Sequence, residues 1–172
     1  MKKNLIISAI FSLLSLNAFS QHTHHHAGHG SHGQAATAAS SPELNVVLEK
    51  NDTLFSEFLQ ASPQALEKRA SELHQAIAKA KSQDVKGLLA AAGNLTKIKN
   101  KLSKDQNLLL YHEFMKNFAE VVKKSNVSKT HAVFYCPMVK KYWVQNITQS
   151  RDVKNVFAQE MLECGSEVPK ET

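Results

Sequence analysis

Between Ser103 and Lys124 the chain reads SKDQNLLLYHEFMKNFAEVVKK, and no other stretch constrains the fold as strongly. Leu108, Tyr111, Met115, Phe118 and Val122 recur at intervals of three and four, which places them on one stripe of an α-helix. Ser103 and Gln106 stand at the spacing of a reciprocal capping box. A helix with one apolar stripe must bury it against another element, so the remaining chain has to supply partners.

Upstream segments supply them. SSPELNVVLEK offers Ser40 or Ser41 as cap, Pro42 for a first turn and Glu43 three after Ser40. Leu44, Val47, Leu48, Leu54, Phe55, Phe58 and Leu59 then form one helical face. SPQALEKRASELHQAIAKAK starts again with Ser62 and Pro63, and Leu66, Ala70, Leu73 and Ile77 line it. DVKGLLAAAGNLTKIKNKL repeats the pattern with Val85, Leu88, Ala92, Leu95 and Leu102. Gly87 and Gly93 weaken it, each by about 1 kcal/mol in a helix interior. After Lys124, THAVFYCPMVKKYWVQNIT is β-branched and aromatic with a proline inside, and reads as an extended loop or short strand crossing a bundle face. SRDVKNVFAQEMLECGS reads as a last helix, capped by Ser150, with Val153, Val156, Phe157 and Met161 inward and Gly165 at its end. The expected fold is all-α: an up-down bundle of about four helices, with a Cys-Pro-Met loop and a short final helix packed against it.

The N-terminal residues do not belong to that bundle. MKK followed by the apolar run Leu5 to Leu16, then AFS, reads as a secretory signal over residues 1–20. The run is too short to span a bilayer, and no cysteine follows it for lipid attachment. The expected location is the periplasm or the medium, without membrane insertion after cleavage. Residues 21–40 hold six of the nine histidines: His22, His24, His25, His26, His29 and His32. Their neighbours are Gly, Ser, Ala, Thr and Gln, with no apolar period, so no packed structure is expected. Imidazoles suit Cu(II) and Zn(II), so this stretch reads as a loose metal collector that fades in acid. The folded domain then covers 41–168. Without Lys2 and Lys3 the chain has 19 basic and 15 acidic residues, a net +4. The lysines are scattered over helical faces, which argues against a nucleic-acid partner.

The chain has two cysteines, and each stands near a methionine. Cys136 and Met138 are two apart in an extended segment, so both side chains can face one way. Met161 and Cys164 are three apart, which would place them on one face of the final helix. Thiolate and thioether ligands are soft and favour Cu(I). Two structural readings stand beside that one. The cysteines can form a disulfide, which would stabilise by roughly 3 kcal/mol through loop closure. The methionines can be gap fillers in the core. His112, on the apolar face of the strongest helix, is either a satisfied core histidine or a further ligand.

VFYCPMVKKYWVQ, followed after a spacer by MLECG, resembles the DUF3347 family, a small extracytoplasmic domain. The likeness rests on Cys136, Pro137, Met138, Tyr142, Trp143, Met161, Leu162, Cys164 and Gly165. The same domain ends some copper and heavy-metal efflux adaptor subunits, so the resemblance implies heavy-metal association. The family's Asn-Pro-Tyr-like turn is replaced here by NVFAQ, with Asn155 kept and no proline, which favours a longer final helix. Tyr142 and Trp143 are then candidates to flank the metal, Trp143 by stacking near a cation.

No Cys-x-x-Cys, Ser/His/Asp set or phosphate loop is present, so no enzymatic activity is expected. The reading is a copper-binding protein of storage, delivery or resistance. Cu(I) would sit on Cys136, Met138, Met161 and Cys164, with Cu(II) or Zn(II) on the histidine-rich segment, and an efflux adaptor or other envelope protein is the expected partner. Its rival is a disulfide-closed helical scaffold that docks to such a partner.

Overall fold

A computed structural model of the chain describes residues 40–170. In order, the elements are α1 (Pro42–Leu59), α2 (Leu66–Lys79), two single turns α3 (Gln83–Lys86) and α4 (Leu89–Ala92), a 3-10 turn (Leu95–Lys97), α5 (Lys104–Lys124) and strands β1 (His131–Cys136), β2 (Lys141–Asn146) and β3 (Ser166–Glu167). The fold is therefore mixed α/β, and the all-α expectation is wrong. Two features overturn it: a three-stranded antiparallel sheet of order β2-β1-β3, and the absence of a helix over 150–165.

The helices start as their local chemistry dictates, with two exceptions. Ser41 caps α1, its hydroxyl accepting from the Leu44 amide at 3.1 Å, and Pro42 takes the first turn. Ser103 and Gln106 form the full capping box of α5, at 3.2 and 3.0 Å. Glu43, however, does not close a box with Ser40. Its carboxylate crosses to α3 and accepts from the amides of Lys81 (2.9 Å) and Ser82 (2.6 Å). Ser62 does not cap α2 either, since that helix begins three residues after Pro63. Glu57 of α1 accepts from the Gln64 and Ala65 amides at 2.6 and 2.7 Å instead, satisfying donors that a helix start leaves without partners. The expected long third helix is broken into turns at Gly87 and Gly93, each of which follows a four-residue helical turn.

The aromatic segment is a β-hairpin, not a loop over a bundle. Its ladder runs from His131↔Asn146 to Cys136↔Lys141, and residues 137–140 close it with Lys140 at φ 53°. β3 pairs with the other edge of β1, Tyr135 opposite Ser166. β1 has neighbours on both edges and is buried along nearly its whole length, so it lacks the polar–apolar alternation that marks a half-buried strand. α1 packs on α2, and α5 lies against the hairpin. One buried polar bridge ties the layers: Tyr111 donates to Asn51 Oδ1 at 2.7 Å, and Asn51 donates to the Val144 carbonyl at 3.4 Å. Among the described residues no helix is long and apolar enough to cross a membrane.

Residues 150–165 fail to become a helix because their side chains offer the backbone local alternatives. Ser150 Oγ accepts from the Asp152 amide at 2.9 Å. Asn155 Oδ1 accepts from the Phe157 amide at 2.9 Å, while its Nδ2 donates to the Cys164 carbonyl at 2.8 Å. The Asn155 amide donates to the Leu162 carbonyl at 2.6 Å. One fully buried asparagine thus pins both ends of a loop.

Candidate functional site

The sheet and this loop bring the two cysteines together. Cys136 is the last residue of β1 and is 0% exposed. Cys164 leaves a tight turn in which its amide donates to the Met161 carbonyl at 2.9 Å. The two residues are joined as a disulfide, with Cα atoms 5.7 Å apart. In that state neither sulfur is a thiolate, so metal ligation through them requires the bond to be opened.

Gly165 sets how closely the loop approaches the sheet. Its φ is +141°, and a Cβ there would lie 2.6 Å from Cη2 of Trp143 and 3.2 Å from the Tyr135 carbonyl. Only glycine fits both the backbone angle and the contact. Trp143 is fully buried, stacks on Phe134 at 5.7 Å and donates its indole N–H to Gln145 Oε1 at 3.3 Å. It is a core platform under the loop. Strand alternation puts Trp143, Lys141, Phe134 and Cys136 on one face of the hairpin. Tyr142 falls on the other face, paired with Tyr135 at 4.5 Å, so the two expected flanking aromatics are separated by the sheet.

The methionines are not core residues. Met138 lies in the hairpin loop at 68% exposure, and Met161 in the pinned loop at 43%. Met161 and Cys164 share a turn instead of the helix face expected for them. Met115 of α5 is the methionine that fills the core.

His112 is 7% exposed. The Lys141 ammonium donates to its Nδ1 at 3.1 Å, which leaves the ring proton on Nε2. That Nε2 is buried without a partner. Burial, and secondly the Lys141 charge, push the imidazole pKa down to about 4, with Glu113 opposing weakly. The ring is neutral at pH 7, but its lone pair already faces an ammonium, which disfavours a metal at that atom. Its edge contact with Phe157, 5.6 Å between centroids, ties α5 to the 150–165 loop.

The histidines at 22, 24, 25, 26, 29 and 32 lie outside the described residues. Among the described residues no group of three or more His, Cys, Asp and Glu side chains is arranged to hold a metal ion. Two further residues shape the site, and the sequence assigned neither of them to it. Asn155 carried a signal in its turn chemistry. Lys141, opposite Cys136, was visible only once the register was known. Away from the sulfurs, Asp52 accepts from Asn146 at 2.7 Å and faces His131 Nε2 at 3.1 Å, beside a groove of about 500 Å³. No protein-family model matches the sequence, and neither a curated protein nor a solved structure matches it.

Proposed function

We propose that this chain is an exported copper-binding protein whose cargo site is the reduced form of the Cys136–Cys164 pair. The observation that carries the reading is one of placement. Two cysteines 28 residues apart in sequence meet, and the methionine near each is exposed instead of packed. Exposed thioethers two residues from Cys136 and three from Cys164 along the chain would offer soft donors that Cu(I) prefers. The histidine-rich segment would collect Cu(II) or Zn(II) more loosely, and release both as the imidazoles protonate. Storage, delivery or resistance are the roles such a binder serves, with an efflux adaptor or other envelope protein as recipient.

The test is a Cu(I) competition titration on anaerobically reduced protein. Wild type should bind tightly, Cys136→Ser should not, and oxidised protein should bind only through its histidines. Equal affinity of the wild type and the Cys136→Ser variant would remove the site. The joined cysteines favour a second reading, a disulfide-closed interaction module whose exposed Met138, Met161 and Leu162 form a docking surface. A thiol count on protein taken directly from its compartment separates the two: no free thiols at any copper level supports the module.

A further inference from the structure

We infer that the Cys136–Cys164 bond is opened by a dithiol protein that attacks Cys164 first, with Cys136 as the leaving sulfur. The inference rests on the copper reading for its purpose, since a closed bond offers no thiolate, but its chemistry stands on the geometry of the pair.

The two halves of the disulfide are unequal. Cys136 is 0% exposed, beneath the pinned loop and at the end of a strand paired on both edges. Cys164 is half-buried and lies in a surface loop next to exposed Leu162 and Glu163. Exchange requires a thiolate to reach one sulfur, so access selects Cys164. Lys141 stands directly opposite Cys136 in the antiparallel ladder, on the same face, but its ammonium is held by His112 Nδ1 at 3.1 Å, so access alone sets the direction of attack. Leu162 and Met161, exposed at 47% and 43%, flank the entry sulfur in the chain and give the partner an apolar rim to contact.

The step balances without another reagent. The partner's first thiolate forms a bond to Cys164 Sγ, and the Cys136–Cys164 bond breaks with its electron pair on Cys136. The partner's second thiol loses its proton and attacks its own neighbouring sulfur, releasing Cys164 as thiolate. Two electrons pass from the partner, which leaves as a disulfide. Both cysteines are then free to hold Cu(I).

A thioredoxin-type dithiol whose second cysteine is replaced by serine is the probe. It should trap a mixed disulfide on the purified, oxidised protein. After alkylation, peptide mapping should find the probe on Cys164 and the alkyl group on Cys136. The probe on Cys136, or shared equally, overturns the proposal. So does failure to trap folded protein under conditions where urea-unfolded protein reacts. Leu162→Ser should slow reduction by the intact dithiol protein about tenfold while leaving reduction by dithiothreitol unchanged. Equal slowing of both, or of neither, removes the docking rim. Cu(I) titration of chemically reduced protein is a separate readout, so an exchange that fails with copper binding intact, or the reverse, shows which claim has fallen.

Discussion

From Pro42 to Lys124 the molecule is held by repeated apolar contacts, so most positions share their work with neighbours one turn away. From Ser150 to Val168 it is held by single contacts: one glycine against one indole, one asparagine pinning a loop, one disulfide. The first arrangement gives a core that tolerates local error. The second gives a clasp whose parts cannot substitute for one another. That separation suits a site that must change state while the rest of the protein stays folded.

The contrast breaks most directly at Gly165. In Gly165→Ala the new methyl meets Trp143 Cη2 at 2.6 Å in a backbone region that disfavours side chains. Strain and overpacking together should cost about 4 kcal/mol. Urea unfolding would measure it, and near-UV circular dichroism of the only tryptophan should change with it. Reduction of the disulfide is the next largest effect. It should lower stability by about 3 kcal/mol. Hydrogen exchange should quicken over 147–168 while the amides of α1, α2 and α5 keep their protection. Uniform loss of protection would mean the two regions form one cooperative unit.

His112 lies on the seam between them, touching Lys141 and Phe157. In the folded protein it stays neutral down to about 4. In the unfolded chain it gains a proton below about 6.5. The unfolded state therefore binds more protons across that window, and stability falls as pH drops through it. Between pH 7 and pH 5 this single group should remove about 2 kcal/mol. Denaturation curves at the two pH values check it, and His112→Gln, which does not titrate, should flatten the difference. An unchanged slope in the variant would assign the pH dependence to other groups.

How far the sequence revealed each region follows from the same contrast. α5 and α1 were legible because period and cap lie within a few residues of each other, as with Ser103 and Gln106 or Ser41 and Leu44. The caps supplied by Glu57 and Glu43 were not legible, because the amides they satisfy lie in other elements; Glu43 reaches 39 residues along the chain. β1 was ambiguous because burial on both faces erases alternation. The last helix was misread because a spacing of three between Met161 and Cys164 suits a turn as well as a helix, and Asn155 decides between them. At the candidate site the residues were visible as types, Cys with Met twice over. Their arrangement was not, since Trp143 beneath Gly165 and Lys141 opposite Cys136 follow only from strand register.

The smallest effect is the most diagnostic, because it applies the Gly165 substitution to the other region. Gly87 also carries no side chain, yet its backbone is right-handed helical at φ −58°. A Cβ there would meet only carbonyl oxygens at 3.6 Å, an ordinary contact distance. Alanine at this position restricts the unfolded chain and strains nothing in the folded one, so Gly87→Ala should stabilise by about 0.5 kcal/mol. The same methyl group thus changes sign between the helical region and the clasp, and paired urea titrations of the two variants would measure that difference. If Gly87→Ala destabilised as much as Gly165→Ala, the helical region would be as intolerant as the clasp, and the distinction between shared and single contacts would fail.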